Sequence, residues 1–123
     1  MVKVVNNKIL HTEIEIQTQI MRYLNCLPSI VPAFWRQNTG GAYFKGKGGK
    51  NQFVRFGKKG ISDILGIMND GKFLAIEVKR PGAKPTIHQK HFLNEIHKAK
   101  GISIVATSIE DVNMRLQMEG YLK

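Results

Sequence analysis

The stretch Gly60-Ile61-Ser62-Asp63-Ile64-Leu65-Gly66-Ile67-Met68-Asn69-Asp70-Gly71-Lys72-Phe73-Leu74-Ala75-Ile76-Glu77-Val78-Lys79 decides the fold. Two apolar, β-prone runs flank Asn69-Asp70-Gly71, and an Asn/Asp-Gly turn between such runs is a strong hairpin signal. Side chains alternate faces along a strand, so Leu74, Ile76 and Val78 share one face while Phe73, Ala75, Glu77 and Lys79 share the other. A strand that is apolar on both faces is a central strand. Asp63, Glu77 and Lys79 therefore stand where apolar residues would be more stable. A three-residue loop puts Asp63 opposite Glu77, with Cβ atoms about 4.5–5.5 Å apart. A two-residue loop puts Asp63 opposite Val78 instead. Carboxylates that close repel unless a proton or a cation lies between them.

Paired carboxylate oxygens suit a hard divalent cation, Mg²⁺ or Mn²⁺. A lysine two residues after a metal carboxylate can orient or deprotonate an attacking water, or neutralise charge developing on phosphorus. The competing reading is a β-hairpin with a surface Glu–Lys pair and an unrelated Asp. Charges at the end of an otherwise apolar central strand favour a site.

At 123 residues the chain reads as one domain, residues 1–123, large enough for a modest core. It has no apolar run long enough to span a bilayer and no signal-peptide pattern, so a cytoplasmic protein of a bacterial or phage-infected cell is expected, without membrane contact. The single Cys26 cannot form an internal disulfide and reads as a small buried hydrophobe. The net charge of +10 suggests nucleic acid or another anionic surface as partner. No acid occurs between Glu15 and Asp63, while that segment holds Arg22, Arg36, Lys45, Lys47, Lys50, Arg55, Lys58 and Lys59. This distribution reads as a phosphate-binding surface that leads into the acidic pair, rather than as a merely solvated basic protein.

Residues 1–11 read as a short apolar-basic lead, either disordered or a dimer contact. Thr12 to about Asn25 reads as a helix whose buried face carries Ile16, Ile20, Tyr23, Leu24 and Leu27. Thr12 and Glu15 form a capping-box pattern, which gives Glu15 a structural task. Glu13 shares the inward face with Ile16 and Ile20, and an acid aimed inward needs a nearby partner such as a metal. The competing reading of Glu13 is an exposed first-turn acid favouring the helix dipole. Pro28 and Pro32 mark a loop, and residues 33–38 read as a strand. Thr39 to Gly60 is glycine-rich and basic, interleaved with Tyr43, Phe44, Phe53 and Phe56, with a short strand at 52–56. Its aromatics have two readings, stacking on unpaired bases and packing on the sheet, of which the second is favoured, while Lys45, Lys47, Lys50, Arg55, Lys58 and Lys59 read as DNA contacts. Thr86 starts a helix reaching about Lys100, with Phe92, Leu93 and Ile96 as its apolar stripe and Gly101 closing it. His88, His91 and His97 read as solvated polar-face residues. Residues 102–106 read as a buried strand. Ser108 caps a last helix in which Val112, Met114, Leu116 and Met118 are partly buried. Together these make an α/β domain with a mixed central sheet and helices on both faces.

Ser62-Asp63, a hairpin, then Glu77-Val78-Lys79 resembles the PD-(D/E)xK nuclease motif. The longer set Gly60-Ile61-Ser62-Asp63-Ile64-Leu65-Gly66 and Phe73-Leu74-Ala75-Ile76-Glu77-Val78-Lys79-Arg80-Pro81-Gly82, with Gln89 following, is similar to the VRR-NUC group of virus-type replication-repair nucleases, from about Thr12 to Glu110. Ser62 replaces the proline of the superfamily name at a position that is not a ligand. The resemblance implies a restriction-endonuclease-like αβββαβ core and a metal-dependent DNA endonuclease that leaves a 5′-phosphate and a 3′-hydroxyl. It implies Mg²⁺ or Mn²⁺ on Asp63, Glu77 and the main-chain carbonyl of Val78, with Lys79 orienting and activating water. It also implies a glutamate from the first helix, assigned to Glu13 with Glu15 as the fallback. Gln89 becomes a site-supporting residue, although Thr86 and Gln89 also have capping-box spacing. Small stand-alone members resemble Holliday-junction resolvases, so a homodimer acting on branched DNA is expected. The rivals are a basic DNA-binding module with a dead nuclease fold and a restriction-type enzyme that cuts a specific sequence.

Overall fold

The computed structural model describes residues 3–5, 8–37, 41–55 and 57–123, with the side chains of residues 3–5, 8–10, 42 and 55 outside that description. In chain order the elements are β1 (Lys3–Val5), β2 (Lys8–Leu10), α1 (Glu13–Asn25), β3 (Ala33–Arg36), β4 (Gly41–Lys45), β5 (Asn51–Arg55), β6 (Ile64–Ile67), β7 (Phe73–Val78), α2 (Ile87–Lys98), β8 (Ile102–Ala106) and α3 (Ile109–Met118). The main sheet has the order β3-β6-β7-β8. β3, β6 and β7 are antiparallel and β8 joins β7 in parallel, reached through α2. This mixed sheet, flanked by helices, is the expected restriction-endonuclease-like core.

The hairpin register decides the site. Ile64 pairs with Ile76 and Ile67 with Phe73, which leaves Asn69-Asp70-Gly71 as a three-residue loop. Gly71 takes φ +89°, the left-handed conformation such loops place at their last residue. The turn is pinned from outside the hairpin. Asn69 donates its backbone N–H to Ile30 O and its side-chain amide to Ser29 O, and Tyr121 Oη donates to Asp70 Oδ2 at 2.7 Å.

β7 is central and buried on both sides. Leu74, Ile76 and Val78 enter a large core with Ile16, Ile20 and Leu24 of α1 and Val112 and Leu116 of α3. Ala75 enters a smaller core with Leu65 of β6 and Phe92 and Leu93 of α2. α1 and α3 thus cover one face of the sheet and α2 the other. Each helix is capped as its sequence predicts: Thr12 with Glu15, Thr86 with Gln89, and Ser108.

Several expectations are corrected. Within the lead, read as disordered or a dimer contact, Lys3–Val5 and Lys8–Leu10 pair as a small antiparallel ribbon of β1 and β2, so these residues are ordered. Cys26 is exposed, because it caps the C-terminus of α1 instead of entering the core. α2 ends with Lys100, not Gly101, in the left-handed conformation, at φ +69°. Gly101 is needed for closeness instead: a Cβ there would lie 2.7 Å from Ile96 Cγ2 and 2.9 Å from the carbonyl oxygen of Phe73. Met114 and Met118 lie on the solvent side of α3, 58 % and 74 % exposed, because the helix turns Ile109, Val112 and Leu116 to the core. Of the strand expected over residues 33–38, Ala33–Arg36 form β3 and Gln37 lies beyond its end, whereas Asn38 and Phe56 lie outside the described residues.

Candidate active site

The antiparallel ladder of β6 and β7 stops at Ile64, and a side chain takes over from it. The Asp63 carboxylate Oδ2 accepts the backbone N–H of Val78 at 2.7 Å, and the Asp63 carbonyl accepts the N–H of Gln37 at 2.8 Å. The half-buried Asp63 is thereby fixed beside the end of β7. Continuing the Ile64–Ile76 register brings it alongside Glu77. On the other side of Glu77 lies Val105 of β8, its parallel partner. Glu77 is 1 % exposed, and its Oε1 has no hydrogen-bond partner among the described residues.

Burial pushes the Glu77 carboxyl up to about 9, the neighbouring Asp63 carboxylate and the more distant Glu13 push the same way, and Lys79 partly opposes them. Lys79 is itself buried, with Nζ 3.8 Å from Glu77 Oε2, and its backbone N–H continues onto β8 through Ala106 O. A buried lysine persists when a carboxylate compensates its charge. Without a cation, Glu77 holds its proton at neutral pH. A cation between the same oxygens would replace that proton. This orphaned, oxygen-only donor pair fits a hard divalent ion. No three Asp, Glu, His or Cys side chains converge into a metal cluster among the described residues. Beyond the pair, the main chain or water would have to complete a coordination sphere.

Glu13 opens α1 half-buried and lies within electrostatic reach of Glu77. Glu15 is engaged in the capping box, where its carboxylate accepts the N–H of Thr12 at 3.1 Å and is held low, at about 2. Gln89 is engaged likewise: its Oε1 accepts the N–H of Thr86 at 2.8 Å. With Lys58, Lys59, Gly60, Ile61, Thr86 and His88 it lines a hollow of about 310 Å³. Lys58 Nζ pairs with Glu95 at 3.3 Å, so part of its charge is already matched within the chain. Gly60 has φ +76°, and a Cβ there would fall on the carbonyl of His88, so the segment entering Asp63 rests directly on the start of α2. A larger hollow, about 440 Å³, lies between α1 and β3 and contains none of the charged triad.

Lys45, Lys47 and Lys50 are exposed on the ribbon formed by β4 and β5. The aromatics of that ribbon do not pack on the main sheet. Tyr43 is 72 % exposed and Phe53 50 %, which overturns their reading as sheet-packing residues. The signal available in the sequence was the glycine-rich connection on each side, which supplies no third strand for them to cover. His88, His91 and His97 are exposed, as read.

Comparison with known protein families matches the chain to the VRR-NUC domain, over residues 5–110. None of the curated proteins matches the chain. No helix among the described residues is long and apolar enough to cross a membrane.

Proposed function

This chain belongs to the VRR-NUC family, nucleases of the PD-(D/E)xK type, and from that premise we propose that it is a Mg²⁺- or Mn²⁺-dependent DNA endonuclease. It acts as a homodimer on branched DNA, in replication, recombination or repair. The observation that carries the reading is the buried Glu77 oxygen beside Asp63, without a partner among the described residues, with Lys79 Nζ 3.8 Å from the same carboxylate. Asp63, Glu77 and the main-chain carbonyl of Val78 would hold the ion, with Glu13 contributing directly or through water. When bound there, such an ion would polarise the scissile phosphate and lower the pKa of the attacking water.

The chain's own groups do the rest. Asp63 ties its loop to β7 through the Val78 N–H, so the two carboxylates keep their spacing without substrate. Lys79, confined by burial beside Glu77, orients the attacking water and offsets charge growing on the phosphorus. Gln89 holds the start of α2, and with Lys58 and Lys59 it borders the hollow that receives a phosphate next to the scissile one. Lys45, Lys47, Lys50 and Arg55 hold phosphates farther along the DNA. The products are a 5′-phosphate and a 3′-hydroxyl.

The test is a cleavage assay on labelled four-way junction, flap, single strand and linear duplex, with Mg²⁺, Mn²⁺ or EDTA. The wild type cuts only with metal and prefers branched DNA. Asp63→Ala, Glu77→Ala and Lys79→Ala each abolish cutting while retaining DNA binding. Full activity in the Glu77→Ala protein would falsify the site. Binding to every substrate with no cutting under either metal would leave a basic DNA-binding module.

A further inference from the structure

The ribbon of β4 and β5 stands apart from the rest of the fold. Among the described residues each strand packs extensively only on the other. An isolated two-stranded ribbon in water is marginally stable and has no reason to display large apolar side chains unless they meet a partner. This ribbon displays four: Tyr43, Phe44, Phe53 and Val54, at 72, 52, 50 and 44 % exposure. Tyr43 and Phe53 are direct cross-strand partners, with ring centroids 5.0 Å apart and planes at 65°. That edge-to-face arrangement leaves aromatic faces uncovered. Lys45 follows Tyr43 on the same face of the strand. At the tip, Gly48 and Gly49 take left-handed φ of 80° and 76°, and Lys47 and Lys50 stand exposed on either side of them.

Charge selects the occupant. The ribbon carries lysines and no acid, so it suits a polyanion. A second copy of a chain with net charge +10 would bring like charge against it. In continuous duplex DNA the base faces are hidden by stacking, so uncovered rings have nothing to bind there. Unpaired bases at a branch, flap or end offer those faces. We propose that the ribbon is an arm for unpaired bases: Tyr43 and Phe53 stack on them while Lys45, Lys47 and Lys50 hold the adjoining phosphates. The chain runs from the ribbon through Gly57–Gly60 into Asp63, and the Gly60 contact with α2 fixes the near end of that path. Engagement of unpaired bases by the arm thus bears directly on the segment that positions the acidic pair. This inference rests on the nuclease reading and names the substrate feature that the same site selects.

The test is equilibrium binding in EDTA, by fluorescence anisotropy, to a splayed fork and to a fully paired duplex of the same length. A 2-aminopurine at the first unpaired position of the fork reports stacking. The Tyr43→Ala/Phe53→Ala protein is expected to lose about tenfold more affinity for the fork than for the duplex, and to lose the 2-aminopurine quench seen with wild type. Lys45→Ala/Lys47→Ala/Lys50→Ala is expected to weaken both substrates and to flatten the duplex salt dependence by about three units of logarithmic slope. Tyr43→Leu/Phe53→Leu keeps apolar bulk without a ring and should behave like the alanine pair. Equal losses on fork and duplex, an unchanged quench, or conversion of a dimer to a monomer by the aromatic substitutions overturns the proposal. Fork binding through the aromatics without metal-dependent cutting sinks the nuclease reading and leaves the arm standing. Cutting with no aromatic dependence does the reverse.

Discussion

Replacing Glu77 by glutamine should make the metal-free protein more stable, and increasingly so as pH rises. The folded protein holds the Glu77 proton up to about 9, whereas the unfolded chain releases it near 4.5. A raised folded pKa means stability that is fully present below the unfolded value and is lost as pH climbs through the folded one. From 4.5 to 7, at about 1.4 kcal/mol per pH unit, the wild type gives up about 3 kcal/mol. The amide introduced by Glu77→Gln has the same shape, carries no charge and can donate to Asp63, so the variant escapes this loss. The difference in unfolding free energy between variant and wild type should grow from near zero at pH 4.5 to about 3 kcal/mol at pH 7, roughly 10 °C in Tm for a domain of this size. Urea unfolding in EDTA at pH 4.5, 5.5, 7 and 8 measures it, and titrating groups that do not interact with Glu77 cancel in the comparison. A variant-minus-wild-type difference that stays flat across that range would mean Glu77 is ionised in the fold without a cation. The reasoning about the pair would then be wrong. Mg²⁺ should narrow the difference by stabilising the wild type alone.

Three further outcomes follow from local geometry. Lys100→Gly relieves a left-handed lysine at φ +69° and should raise stability by about 1 kcal/mol in chemical denaturation. Gly60→Ala places a Cβ on the His88 carbonyl at a backbone angle of +76°. It should cost at least about 1–2 kcal/mol and slow cleavage, since the displaced segment carries Asp63; wild-type melting and rate would rule out the tight approach. Thr86→Ala removes the hydroxyl that accepts the Gln89 N–H and should cost about 1 kcal/mol. Amide exchange in the first turn of α2 should accelerate while the rest of the sheet keeps its protection.

The central hairpin was legible because two signals agreed: apolar residues on both faces of 73–78 and a loop with glycine at its third position. The caps were legible because Thr12, Thr86 and Ser108 lie immediately before their helices. The acidic pair came from the register, and the Asp63 link to the Val78 amide extends it by one rung that no periodicity reports. Ends and edges were harder to read. Cys26 and Met118 are apolar by composition, yet one caps a helix and the other faces solvent, and hydropathy carries no information on direction. Gly101 has the residue type expected of a left-handed cap, but it was placed by the crowding of Ile96 and Phe73, a tertiary contact. Tyr43 and Phe53 were misread for a related reason. Aromatic residues in a strand usually cover a neighbour, and only the topology shows that, among the described residues, this ribbon joins no other strand.

The Asn69-Asp70-Gly71 turn is a ruler for chemistry at the other end of the hairpin, about 20 Å away at 3.4 Å per residue. Its length fixes which residue of β7 meets Asp63, and Tyr121, Ile30 and Ser29 clamp it in place. One inserted or deleted codon there would shift the phase of the ladder by one residue and turn Glu77 and Lys79 toward the core of α1 and α3. The spacing of Asp63 and Glu77 is therefore encoded in a loop at the far end of the hairpin, and Tyr121 of the segment after α3 holds that loop.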